Sequence, residues 1–202
     1  EGPTSAIASI VREAFGLTND ASAYVYLSDG GHFENLGIYE MVRRRCRYIV
    51  VSDSGCDNKF AFEDLGNALR KIRIDMKIPV DFEDGSFQSL REKSRRCAIA
   101  RIRYSLVDDT REDGFLLYIK PMVRGNEPPD VVSYQTNHAD FPHQSTADQF
   151  FDESQTESYR MLGLLTVDEI CRGWDQTDGI PGLIGHISRA GDTRAASARA
   201  AG

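Results

Sequence analysis

The stretch YVYLSDGGHFENL, residues 24–36, decides the fold that this sequence predicts. An apolar run ends in the triplet Asp29-Gly30-Gly31, and a helical pattern of apolar residues begins just after it. This order predicts a strand that ends at Asp29, a tight turn, and a helix over residues 33–45. In a parallel sheet, the turn would lie at the carboxyl end of the strand, where open α/β sheets bind their ligands. The two glycines would let the backbone turn sharply and leave space in front of the Asp29 carboxylate.

The segments after this stretch predict the rest of the sheet. Residues 47–53 form a near-continuous β-branched run, which indicates a strand buried on both faces, as in a parallel sheet. Together with the first strand and helix it predicts a right-handed βαβ unit. Residues 62–76 have helical spacing, and residues 97–105 and 115–120 have the pattern of an antiparallel hairpin. We therefore predict an α/β fold with a mostly parallel sheet, flanking helices and an antiparallel hairpin.

Weaker patterns complete the predicted organisation of the chain. Helical spacing covers residues 3–15, 88–93 and 131–137, and a further helix, capped by Ser145 or Thr146, runs to about Leu162. The last residues are rich in glycine, alanine, arginine and serine, a composition typical of disorder. We predict one domain over residues 1–174 and a disordered tail over residues 175–202.

Composition excludes several classes of protein. The chain has 202 residues, a hydrophobic fraction of 41% and a net charge of −7, which argues against a nucleic-acid partner because such proteins are usually basic. The basic runs at residues 43–47, 70–73 and 91–96 predict solvated helix faces or helix ends, with anionic membrane surfaces as the alternative. No apolar run approaches the length of a membrane span. The four cysteines are widely spaced, which fits neither a zinc site nor a disulfide framework and favours a cytoplasmic location.

The motif around Asp29 resembles that of a known enzyme family. Asp29-Gly30-Gly31, with the following residues 32–37 and the apolar-basic stretch to Arg45, is similar to the aspartate motif of the patatin-like phospholipases. The similarity covers about residues 24–79 and resumes around residues 141–146, a pattern of the bacterial branch. Members of this family are serine acyl hydrolases with a Ser–Asp catalytic dyad. The resemblance places the aspartate of the dyad at Asp29.

Two family motifs are missing from the sequence. The chain contains neither a Gly-x-Ser-x-Gly nucleophile elbow nor the family's glycine-rich oxyanion loop. The resemblance therefore implies the C-terminal part of a patatin-like hydrolase, which supplies the acid/base and is inactive alone. The first residue is Glu1 rather than methionine, which fits a fragment or a processed product. The expected partners are a lipid or ester substrate and the missing N-terminal part of the same domain. No cofactor is expected.

The residues that follow Asp29 are expected to support it. Gly30 and Gly31 shape the turn. His32 either shapes the site or is simply satisfied at the start of the helix, and Glu34 and Asn35 are expected to cap or brace the first helical turn. His138 and His143 are not assigned, because a dyad does not require a histidine.

Three alternatives remain open from the sequence. Asp-Gly is among the commonest turn dipeptides, so the motif could be an ordinary turn. The chain could instead be a non-catalytic interaction or membrane-surface module derived from the same fold. A third reading is a hydrolase with another nucleophile or with a metal at Asp29, His32 and Asp53, although no ligand spacing supports it. A calcium loop that begins at Asp53 fails, because Gly55 and Asn58 stand where an oxygen ligand and a glycine are needed.

Overall fold

A computed structural model describes residues 6–19, 21–24, 30–145 and 147–200, with side chains from residue 7 to residue 190. Asp29 and most of the predicted strand that ends at it lie outside the described residues, as does Thr146. The chain divides into two compact units, Glu1–Asn35 and Leu36–Gly202.

In the described residues of the first unit there is one α-helix and one short turn of 3-10 helix. Helix α1 (Ala6–Ala14) falls within the predicted helix over residues 3–15. Its apolar residues Ile7, Ile10 and Val11 are exposed. The 3-10 turn covers Gly30–His32.

The second unit holds four strands and six α-helices in the described residues. Its helices are α2 (Ile38–Arg43), α3 (Glu63–Met76), α4 (Ser86–Arg91), α5 (Pro129–Asn137), α6 (Glu153–Ile170) and α7 (Gly179–Ala200). Its strands are β1 (Tyr48–Ser52), β2 (Val80–Phe82), β3 (Cys97–Ile102) and β4 (Gly114–Ile119).

The described strands form one mixed sheet in the order β1-β4-β3-β2. Strands β1 and β4 are parallel, with Tyr48 opposite Phe115, whereas β4–β3 and β3–β2 are antiparallel. The α/β class, the flanking helices and the predicted hairpin are confirmed. The prediction of a mostly parallel sheet is wrong for the described strands. The reason is that β3 pairs antiparallel with β4 and also with β2, a strand that the sequence did not predict, which leaves β1–β4 as the one parallel pair among them.

Strand β1 lies at one end of this strand order. Ile49 and Val51 are buried, but Val50 is 49% exposed, so the predicted burial of β1 on both faces is wrong. Its β-branched residues favour a strand whether one or both faces are covered, because β propensity reflects fit to a pleated, half-buried surface.

Side chains on the two faces of the sheet belong to different hydrophobic cores. On one face, residues from α2, α3 and α4 pack with the sheet; this core includes Ile38, Ile49, Val51, Leu65, Ile72, Leu90, Ala98, Ala100, Leu116 and Tyr118. On the other face, residues from the end of α6 and from α7 cover the sheet; this core includes Cys97, Ile99, Leu117, Ile170, Leu183, Ile184 and Ile187. Alternation of side chains along β3 and β4 produces the two sets.

Helix α2 is shorter than the predicted helix over residues 33–45. Gly37 precedes it with a φ of 72°, a left-handed conformation that glycine adopts readily and that cannot continue a helix. The helical pattern before Gly37 therefore does not become part of α2.

Helix α6 differs from its prediction at both ends. The Asp152 carboxylate accepts a hydrogen bond of 2.7 Å from the backbone N–H of Gln155, so Asp152 is the N-cap and the predicted cap at Ser145 is wrong. The helix continues past Gly163, because Leu162, Thr166 and Ile170 recur at four-residue spacing and are buried together on one side.

The predicted disordered tail contains a helix. Helix α7 occupies Gly179–Ala200, and Leu183, Ile184 and Ile187 are buried against the sheet. These three residues supply the apolar stripe that the overall composition of the segment hides. Among the helices that the structure describes, none is long and apolar enough to cross a membrane.

Candidate functional site

The turn after Asp29 is described from Gly30 onward. The Gly30 carbonyl accepts hydrogen bonds from the backbone N–H groups of Phe33, at 2.9 Å, and of Glu34, at 3.0 Å. These bonds close the 3-10 turn at Gly30–His32. The position of the Asp29 carboxylate lies outside the described residues.

Gly30 is not required by the turn that it occupies. A 3-10 turn uses right-handed backbone angles, which residues with side chains also adopt. A Cβ atom added at Gly30 would meet no atom of the described residues within 4 Å. The glycine therefore leaves open space next to the residue that the resemblance makes catalytic.

The other predicted site residues differ in exposure. His32 and Asn35 are exposed, Gly31 is half-buried, and Glu34 is buried. Helix α2 begins at Ile38 and has no side-chain hydrogen bond at its N-cap, Gly37. The helix starts beyond Glu34 and Asn35, and their expected role in capping or bracing its first turn stays a prediction.

The structure brings together a second polar group that the sequence did not predict. Asp53 directly follows β1 and Lys120 directly follows β4, so both lie at the carboxyl edge of the parallel pair. Their side chains are 3% and 1% exposed, and Lys120 Nζ lies 3.0 Å from Asp53 Oδ1. This is the edge at which open α/β sheets place ligands.

The Asp53 carboxylate accepts hydrogen bonds from two groups besides Lys120. The Gly55 N–H donates to Asp53 Oδ1 at 3.0 Å, and the Tyr118 hydroxyl donates to Asp53 Oδ2. Burial, followed by the bond to Asp53, raises the pKa of Tyr118, so this phenol remains a neutral donor. Together with the Lys120 ammonium, these donors hold the buried carboxylate in place at the end of β1.

The imidazole of His143 lies next to this cluster and has one ring nitrogen without a hydrogen-bond partner among the described residues. Its Nδ1 lies 3.5 Å from the Gly55 carbonyl oxygen, to which Lys120 Nζ donates at 3.3 Å. Its Nε2 is buried and has no hydrogen-bond partner among the described residues. Burial lowers the pKa of His143, which favours the neutral imidazole with a lone pair that can accept a proton or a hydrogen bond.

A cavity of about 120 Å³ is lined by His143 together with Phe60, Lys93 and Met122. The His143 ring packs edge-on against Phe60, with 4.9 Å between ring centroids. Lys93 Nζ lies 4.1 Å from the centroid of the same Phe60 ring. The cavity is large enough for a few waters or a small polar group.

The described residues give no support to the hypothesis of a metal-dependent hydrolase. In the described ranges, no group of three or more histidine, cysteine, aspartate or glutamate side chains could hold a metal ion. The proposed set of Asp29, His32 and Asp53 includes one residue outside those ranges.

Sequence reasoning missed Tyr118 and Lys120 entirely. It considered Asp53 only as a metal ligand and left His143 without a role. The available signal was a lysine directly after a strand of apolar residues, a position that becomes buried when the strand lies inside a sheet.

Searches against protein-family models, curated proteins and solved structures find no match to this chain.

Proposed function

We propose that this chain is the C-terminal portion of a patatin-like serine acyl hydrolase that acts on lipid or ester substrates. Asp29 is the acid/base of a Ser–Asp dyad: it takes the proton of the serine hydroxyl and returns it to the leaving group. The nucleophile and the oxyanion donors come from a segment that precedes this chain.

The observation that carries this proposal is the open glycine after Asp29. Neither the 3-10 turn nor the packing of the described residues requires Gly30 to lack a side chain, since a Cβ there would meet none of their atoms within 4 Å. Glycine is the residue used where a ligand or another backbone segment approaches closely. A substrate, or the segment that carries the nucleophile, would occupy this space.

The position of β1 at the end of the described strand order is consistent with the proposal. Val50 is 49% exposed, and β1 has a described neighbour on one side only. A preceding segment of the same domain would cover such a surface and pair with such an edge.

The test uses the natural protein that carries this chain, expressed from its own start codon. Hydrolysis of short- and long-chain p-nitrophenyl esters is measured for the wild type and for Asp29→Asn. We expect the substitution to lower kcat by about 10²-fold or more, the usual contribution of a general acid/base. The matched control is Asp109→Asn, an exposed aspartate in the β3–β4 connection.

The outcomes separate the open alternatives. Full activity in a folded Asp29→Asn protein would make the motif an ordinary turn. The absence of hydrolysis from the wild type, together with no labelling by a serine-directed fluorophosphonate, would favour the non-catalytic interaction or membrane-surface module.

A further inference from the structure

A cavity of about 400 Å³ lies where the start of β3, the end of α6 and α7 meet. Four arginines line it: Arg95, Arg96, Arg124 and Arg172. Such a concentration of guanidinium groups is unexpected in a chain with a net charge of −7. The cavity shares no lining residue with the Asp53 cluster.

Arg96 is the fixed part of this cavity. Its side chain is fully buried, and its Nη2 donates to Glu127 Oε1 at 2.5 Å. Its Nε donates to the Met122 carbonyl at 3.1 Å, and its other terminal nitrogen pairs with Glu169. With a further bond of 3.1 Å from Nη2 to Asn126 Oδ1, these bonds hold the guanidinium in one orientation and use most of its five donors. Arg96 therefore frames the cavity, and the other arginines are the ones with donors for a ligand.

The remaining arginines are less completely paired. Arg124 shares Glu169 with Arg96. Arg95 donates to the Ile187 carbonyl at 3.1 Å, and no ion pair is found for Arg95 or Arg172 within the described part of the chain. Arg172 is exposed and lines the cavity from the solvent side.

The charges around the cavity do not balance. The four arginines are accompanied by two glutamates, Glu127 and Glu169, which leaves an excess of two positive charges. Arg95 is half-buried and lacks a counter-ion among the described residues, which is costly, and an anionic ligand would lower that cost. A doubly charged anion matches the excess.

We propose that this arginine cavity binds the phosphate group of a small phosphorylated molecule. Guanidinium forks match phosphate oxygens in geometry and form charge-assisted bonds with them. The cavity is larger than a phosphate, and Cys97, Ile187 and Ala190 provide an apolar wall for a short organic part.

The Cys97 thiol does not oppose this ligand. Burial raises its pKa to about 11, so the thiol is neutral near neutral pH and does not repel an anion. The proposal rests only on the arginine cavity and is independent of the acyl hydrolase proposal.

The test is isothermal titration of the purified protein at low ionic strength with three probes. The probes are inorganic phosphate, glycerol 3-phosphate, and dioctanoyl phosphatidic acid below its micelle concentration. We expect saturable binding that Arg172→Gln and Arg124→Gln each weaken by about tenfold, the effect of losing one charge-assisted hydrogen bond. The matched control is Arg160→Gln, an exposed arginine on α6 that is 58% exposed and paired with Glu157.

Each outcome supports or overturns the proposal. Tighter binding of either phosphate ester identifies a phosphorylated molecule as the ligand and its preferred organic part. Equal binding of all three probes supports a site that recognises the phosphate group and not the organic part of the ligand. The absence of saturable binding at millimolar concentrations overturns the proposal, as does equal weakening by Arg160→Gln, which indicates general electrostatic attraction. Circular dichroism verifies that each variant is folded.

Discussion

Two polar clusters lie side by side at the same edge of the sheet and differ in charge balance. The Asp53 cluster follows β1 and β4, and the arginine cavity begins just before β3, where the Lys120 N–H donates to the Arg96 carbonyl at 2.9 Å. Tyr118, in the first cluster, belongs to the core shared with α3. Cys97, in the cavity wall, belongs to the core shared with α7.

The difference between the clusters is charge balance. Asp53 and Lys120 cancel each other, and both are almost fully buried. The arginine cavity has an excess of positive charge and an opening occupied by exposed Arg172. A closed, neutral pair holds strands in register, whereas an open, unbalanced set is suited to binding. Burial alone therefore does not distinguish a structural ion pair from a binding site. What distinguishes them is whether each charged side chain has a partner of opposite charge.

The largest expected effect is from Lys120→Met. This change leaves the Asp53 carboxylate buried without its cation, which typically costs about 3–5 kcal/mol. The free energy of unfolding in urea measures the loss. In the open cavity, Arg172→Gln should change that free energy by about 0.5 kcal/mol or less, as for other exposed sites.

A double variant sharpens the same measurement. Asp53→Asn with Lys120→Met removes both charges, and we expect it to be less destabilised than the sum of the single variants, because the two residues are in contact. A loss below about 1 kcal/mol for Lys120→Met alone would contradict the closed-pair description.

A smaller effect is expected from Tyr118→Phe. It removes the donor to Asp53 Oδ2, a bond to a charged group, with a typical value of about 1.5–3 kcal/mol. Tyr104→Phe is the matched control, because the Tyr104 hydroxyl is also in the core but donates to the neutral Cys46 carbonyl at 2.8 Å. Urea unfolding should rank Tyr118→Phe as the more damaging change; the reverse order would show that Asp53 does not depend on the phenol.

The smallest expected effect is on the pH dependence of stability. Burial lowers the pKa of His143 in the folded state, so the unfolded chain binds its proton more readily. Stability attributable to His143 is therefore complete above the unfolded pKa of about 6.5 and falls as the pH drops below it. We expect the decrease in unfolding free energy between about pH 8 and about pH 5 to be smaller in His143→Gln than in the wild type.

The control for the pH series is His32→Gln, which alters an exposed histidine of the first unit. It should leave the decrease unchanged. An identical decrease in His143→Gln and the wild type would mean that the buried imidazole is already charged or hydrated.

Local patterns predicted most helices and strands and the pairing of β3 with β4, but not β2, α7 or the pairing of β1. Helix α3 and the hairpin of β3 and β4 were predicted because the spacing of their apolar residues is regular. The parallel pairing of β1 with β4 depends on residues far apart in the sequence, such as Tyr48 and Phe115. The Asp53–Lys120 pair exists only through that pairing, so no motif could reveal it.

The composition of the sequence did not predict the arginine cavity. Arg96 belongs to a basic run that predicted a solvated surface, yet its side chain is fully buried, because Glu127 and Glu169 reach it from later segments. Helix α7 was similarly obscured, since its glycine and alanine content outweighs the few apolar residues that bind it to the sheet. In both cases tertiary contacts decide what local composition leaves open.

The dependence of the sheet on α7 has a consequence for biosynthesis. All four described strands have been synthesised once the ribosome passes Ile119, but one face of β3 and β4 remains uncovered until Leu183, Ile184 and Ile187 have been translated. Exposed apolar surface of this kind makes a nascent chain prone to aggregation. The arginine cavity, which takes part of its wall from Ile187, forms only at that late stage, so a bound anion can stabilise the translated protein but not its precursor.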